Sequence, residues 1–223
     1  MTHSLHRRGA EADLKNDYVL LVTAASGINH VGSKDKLRQV LEEVWQVGPT
    51  NIGSNETGTI LSGVDIEEIR ANLMEVPRVR CNFASKEKIR QAIERLLELD
   101  LGMSVTVSGP TQDILEMCGD YGIKPHSINF SLDIWGKKEK LPPEEALELL
   151  TMCGHSLISK TLVAETITKV RQGKMSPEKG ALKVGHPCIC GIYNPERAKT
   201  ILERVAPSTA EVASAVEVGG EDF

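Results

Sequence analysis

The sequence predicts an α/β fold, a two-layer sandwich in which a mostly parallel sheet is covered by helices on one face, followed by a helical C-terminal section. Three observations carry this expectation. Strand-like and helix-like stretches take turns between Tyr18 and Trp135, the order produced by right-handed crossovers between parallel strands. Within those strand-like stretches apolar and small polar residues alternate, whereas a sheet covered on both faces reads as unbroken apolar runs. Beyond Gly136 only helical periodicity remains.

Residues 1–17 are polar and are expected to form a mobile arm. An α/β domain over 18–135 follows. It opens with a buried strand at Tyr18-Val19-Leu20-Leu21-Val22-Thr23, which ends in the small residues Ala24-Ala25-Ser26-Gly27. Leu37, Val40, Leu41, Val44 and Trp45 lie on one helical stripe behind Ser33, and Gly48-Pro49 stops that helix. The stretch 49–63, rich in Gly, Ser, Thr and Asn, reads as a long loop. Asp65 and Glu68 form a capping-box pattern for a short helix carrying Ile66, Ile69 and Leu73. Strands are then expected at Val79 to Phe83, Met103 to Val107 and Ser127 to Trp135, separated by helices bearing Ile89, Ile93, Leu96 and Leu97, and then Ile114 and Cys118. Their polar sides, Asn82, Ser104, Thr106, Ser108, Asn129, Ser131 and Asp133, would form one small-polar face, exposed to water or turned to a protein partner or a second copy of the chain.

A helical, cysteine-bearing section over 136–206 begins with the charged run Lys137-Lys138-Glu139-Lys140. Helices start at Pro142-Pro143, near Ile158, at Ser176-Pro177 and at Asn194-Pro195, the last two as a cap residue followed by proline at the first helical position. The acidic stretch 207–223 is expected to be a mobile tail.

Composition narrows the function classes. Lys and Arg number 26 against 31 Asp and Glu, a net charge of −5, which argues against a nucleic-acid binder held by phosphate contacts. No stretch approaches the roughly 18 apolar residues of a membrane span. The basic start around Arg7 and Arg8 is followed by Glu11, Asp13 and Lys15 instead of an apolar stretch, unlike a secretory signal. A cytoplasmic, reducing location is therefore expected, where cysteines are more often free, metal-bound or redox-active than paired.

Chemistry concentrates in Gly185-His186-Pro187-Cys188-Ile189-Cys190-Gly191. In an extended segment residues i and i+2 share a side, so the thiols of Cys188 and Cys190 can converge, and Pro187 and Gly191 keep a helix from separating them. Cys118 and Cys153 each precede a glycine at a helix end, in Met117-Cys118-Gly119 and Met152-Cys153-Gly154. They read either as apolar residues before a C-terminal cap or as completing a four-thiolate set, with His186 and His155 as substitutes or outer donors. Cys81, on an apolar strand side, reads as core. The leading expectation is a zinc or iron–sulfur protein with a redox or cofactor-handling role, and a C-x-C dithiol that cycles between reduced and oxidised forms is the narrower version. A rival places a small anionic ligand at the strand ends, where Ser108, Gly109 and Thr111 open a helix near Ser85 and Asp133. A third reading is an accessory or assembly protein that uses the small-polar sheet face as an interface.

Overall fold

The computed structural model describes residues 2–54, 56–74 and 78–207. Five strands, Tyr18–Thr23 (β1), Asn51–Ser54 (β2), Gly58–Thr59 (β3), Arg78–Phe83 (β4) and Ser104–Ser108 (β5), form one sheet in the order β3-β2-β4-β1-β5. Every neighbouring pair is antiparallel, with Leu20 opposite Cys81 on one side and Val107 on the other. The expected parallel sheet is thus corrected. The crossover from β1 to β2 runs through helix Ser33–Gln46 (α2; α1 is the short Glu11–Leu14), and that from β4 to β5 through Lys86–Leu99 (α4; α3 is Ile66–Ala71). Each crossover joins strands separated by one strand of the other unit, so strands of like direction never touch. This is the split-βαβ order of the ferredoxin-like arrangement. The alternation within the strands is what antiparallel pairing produces, and it says nothing about strand direction by itself.

Burial follows that alternation. Tyr18, Leu20, Val22, Val79, Cys81 and Phe83 face one side and pack with Leu37, Val40, Leu41 and Val44 of α2 and Ile89 and Ala92 of α4. Val19 faces the other side, where it joins the core of Glu144–Thr151 (α6), Lys160–Arg171 (α7), Pro177–Gly185 (α8) and Pro195–Val205 (α9); α5 is Thr111–Asp120. The second sheet face is therefore not left open over its middle strands. Asn51, Arg80 and Asn82, on the same side as Val19, are buried, so the two-layer expectation is corrected to a helix layer on each side there. An interface through this polar face is confined to what remains uncovered near β5.

Two stretches differ from their sequence reading. The expected strand over 127–135 has no regular structure, and all of it except Ile134 is exposed. The expected loop over 49–63 contains β2 and β3. Gly53 permits that pairing, because at φ 151° a Cβ would lie 2.1 Å from the Gly58 carbonyl oxygen.

The N-terminal arm is tied down instead of loose. Arg7 donates to the Asp17 carboxylate at 2.6 Å and to the Ile192 carbonyl at 2.5 Å, while Arg197 of α9 reaches the same carboxylate at 2.9 Å. Asn82 of β4 donates to it at 2.6 Å. Asn194 caps α9 by accepting the Arg197 N–H at 3.0 Å and donates to the Asn16 carbonyl at 2.8 Å. The expected mobile tail lies, from residue 208 onward, outside the described residues. Among the described residues no helix is long and apolar enough to cross a membrane.

Asp17 is buried between two guanidinium groups, so removing it leaves both cations uncompensated. Asp17→Ala is expected to cost about 3–5 kcal/mol in urea unfolding. A loss below about 1 kcal/mol, the worth of a surface pair, would show that the junction is not a buried ion site.

Candidate functional site

The C-x-C turn is fixed by its flanks. Helix α8 ends at Gly185, whose carbonyl accepts the Cys188 N–H at 2.8 Å, and α9 begins after the Asn194 cap. Gly191 sits at φ 82° with its α-carbon pressed on the sheet, where a Cβ would lie 2.7 Å from both the Arg80 carbonyl oxygen and the Gly53 nitrogen. The turn is thereby docked on the backbones of β2 and β4. Cys188 and Cys190 are fully buried beneath it, with their sulfurs 3.8 Å apart, while Ile189 between them is exposed.

Cys153, just past α6, adds a third buried thiol. Its pKa is raised far above the ordinary thiol range, first by the neighbouring Cys188 thiol and then by burial. Cys153 lowers Cys188, but Cys190 and burial leave it raised overall. The Cys188 thiol, against the opposing effect of burial and with help from the Ile192 N–H and the Arg80 charge, brings Cys190 below the ordinary value. Of the three clustered thiols, Cys190 is the one whose pKa is lowered. Burial draws the Arg80 guanidinium below its usual pKa, and Cys190 opposes that shift. Tyr193 is buried nearby with no hydrogen-bond partner for its hydroxyl; burial, then the Cys188 charge, raises its pKa.

The other expected ligands do not join this cluster. Cys118 is on α5, half-buried, on the wall of a cavity whose other walls come from β5, whereas the three clustered thiols belong to the core on the opposite side of the sheet. The matching Cys-Gly contexts placed two cysteines at helix ends without specifying the layer in which each helix lies. His186 caps α8 with an exposed side chain, and His155, also exposed, contributes its backbone N–H to Cys153. Among the described residues no group of three or more His, Cys, Asp or Glu side chains is arranged to hold a metal ion. The four-thiolate zinc or iron–sulfur set is therefore not assembled.

The strand-end residues also separate. Ser108, Gly109 and Thr111 line a cavity of about 310 Å³, with the Ser108 hydroxyl 2.7 Å from that of Ser4. Thr111 is the first residue of α5 and makes no capping bond; Pro110 holds the cap position. Ser85 instead caps α4 by accepting the Lys88 N–H, and Asp133 is exposed, paired with Arg8 and with Lys138 at 3.1 Å. A single anion site made from all five is not present.

Comparison with protein-family models, with curated proteins and with solved structures finds no match. Sequence reasoning missed Arg80, Asp17 and Asn51. Arg80 read as one polar position of an alternating strand, and nothing in its neighbours foretold a buried charge. Asn51, buried with both ends of its amide unbonded, lay inside the stretch read as loop.

Gly191→Ala is expected to cost about 1–3 kcal/mol through its positive φ, with added loss from the backbone clash. It should also move the turn, so that a thiol-specific crosslinker no longer bridges Cys188 and Cys190; an unchanged crosslinking rate would contradict the docking. Folding stability should also fall in alkali. Burial raises Cys81 and Tyr18, and Cys153 and Tyr193 are raised for the reasons given, so each contributes stability that is full below the free thiol and phenol values of 9.0 and 10.0 and is lost as pH climbs past them. Cys190 alone has the opposite sign, losing its contribution as pH falls through its lowered value. Urea midpoints should therefore drop above pH 9, less steeply in Cys81→Val, and a flat profile would refute the assignment.

Proposed function

We propose that Cys188 and Cys190 form a dithiol redox centre, with Cys153 as a third buried thiol in the same core. The observation that supports it is the pair of buried sulfurs 3.8 Å apart, with the pKa of Cys190 lowered by the Cys188 thiol beside it. A thiolate, not a thiol, is the reacting species, and Cys190 is the member poised to be one. With a hydroperoxide as oxidant, the Cys190 thiolate attacks the terminal oxygen, the O–O bond breaks, and an alcohol leaves after taking a proton. Cys190 is then a sulfenic acid. Cys188, having released its proton, attacks the Cys190 sulfur, the S–O bond breaks, and water departs. Two thiols have lost two electrons and the hydroperoxide has become alcohol and water.

Closing the disulfide brings the sulfurs from 3.8 Å to about 2.05 Å, a movement within one short turn. Entry of the oxidant requires residues 186–191 to lift, and the exposed side chains of His186 and Ile189 mark the side on which they can. All five cysteines are free, which fits work in a reducing compartment such as the cytoplasm. The redox part of the metal-or-redox expectation is thus the part the geometry favours.

Treatment of the full chain with a hydroperoxide should remove the mass of two hydrogens and join Cys188 to Cys190 in peptide mapping. Cys188→Ser should trap a sulfenic acid at Cys190, Cys190→Ser should abolish the reaction, and Cys118→Ser should leave it intact. Arg80→Met should shift the rate profile to higher pH. If the thiols survive oxidant unchanged, or if anaerobically purified protein carries stoichiometric metal that protects them, the dithiol reading is wrong.

A further inference from the structure

Strand β5 is an open edge. Among the described residues it pairs with β1 alone, and its five residues, Ser104-Val105-Thr106-Val107-Ser108, include neither the charges nor the proline by which edge strands resist pairing. Beside it two cavities, of about 310 and 200 Å³, run together through shared walls at Ile93, Val105 and Ile123, making an apolar trough between β5, α4 and α5. Leu97, Val105, Leu115 and Ile123 on these walls are exposed.

The chain also carries a strand without a sheet. Ser127, Asn129, Ser131 and Asp133 alternate with Ile128, Phe130, Leu132 and Ile134, yet the segment has no regular structure. Only its first residues, through Asn129, reach the trough. Further on, Asp133 is held by Arg8 and Lys138, and Phe130, Leu132 and Trp135 are 60, 77 and 82% exposed.

We infer that the trough and open edge of β5 receive residues 128–135 of a second copy of this chain, and that the exchange is mutual. Each copy holds both halves of the contact, so one two-fold operation satisfies both and closes the assembly, whereas a foreign partner supplying only one half would leave the other exposed. From Ser104 to Ser108 β5 spans about 13 Å, the span from Ile128 to Leu132 of the segment, and Ile134 lies beyond the end of the strand. Paired in register, the segment's apolar side continues the side of Val105 and Val107, which lie opposite the buried Val22 and Leu20, and its Ser and Asn residues continue the side of Thr106. On that apolar side Ile128, Phe130 and Leu132, 48, 60 and 77% exposed, carry roughly 300 Å² of exposed surface per copy. That is more than a third of the roughly 800 Å² each partner contributes to a standard interface.

The test is the mass of the full chain in solution, by light scattering and sedimentation equilibrium from low to high micromolar concentration. Wild type should be a dimer. Phe130→Asp with Leu132→Asp, and independently Ile128→Asp, should be monomers with unchanged circular dichroism and thermal melts. Those amide hydrogens of Ser104–Ser108 that point away from β1 should exchange slowly in the dimer and quickly in the variants. A wild-type monomer at high micromolar concentration overturns the proposal, whether its β5 amides exchange quickly, are protected by its own segment, or are protected by a small molecule in the trough. So does a dimer that persists in both variants, or an assembly that grows without closing.

Discussion

The carboxylate of Asp17 is the point at which three parts of the chain are fastened. Arg7 brings the N-terminal arm, Asn82 the central strand β4, and Arg197 helix α9, and the carboxylate receives all three within hydrogen-bond distance. A buried carboxylate is tolerated only when its charge is neutralised and its lone pairs are filled, so each partner is a condition for the others. Apolar packing alone would let the helical section slide over the sheet face. The directional bonds at Asp17 fix where it stops, and with it the position of the turn that carries Cys188 and Cys190.

That dependence explains why the thiol geometry is a property of the whole chain and not of the C-x-C stretch. Gly191 presses on Arg80 and Gly53, so the sheet supplies the floor of the turn, and Arg80 supplies the positive charge that Cys190 senses. Cys153 arrives from another helix. A peptide containing only residues 185–191 would lack the sheet that holds the turn and the Arg80 charge.

Much of the local structure is legible in the sequence, because it is written in periods and caps. Leu37, Val40, Leu41 and Val44 announce α2, and Ser176 and Asn194 both accept the backbone bonds expected of helix caps. The convergence of Cys188 and Cys190 follows from their spacing and from the glycine that stops the turn. The direction of neighbouring strands is not written there. A period of two tells which side chains share a face, and the same pattern suits either direction once another strand is inserted between the ends of a crossover. Nor does a local pattern say that the polar side carrying Asn82 and Arg80 is to be covered from about 60 to 125 residues away or that Cys118 and Cys153, alike in context, end on opposite sides of the sheet. Those outcomes depend on pairings between distant residues, which a single sequence does not display.

The bonds at Asp17 also set an order of events during synthesis. Its partner Arg197 follows it by 180 residues, and Ile192 follows Arg7 by 185. At roughly 5–20 residues per second, on the order of 10–40 s pass between the making of the carboxylate and the making of the guanidinium that completes its cage. In that interval β1, β4 and β5 can already assemble with α2 and α4, since all their contacts lie in chain already made. Burial of Asp17, and of the thiols that share a core with α9, is complete only once α9 has been made.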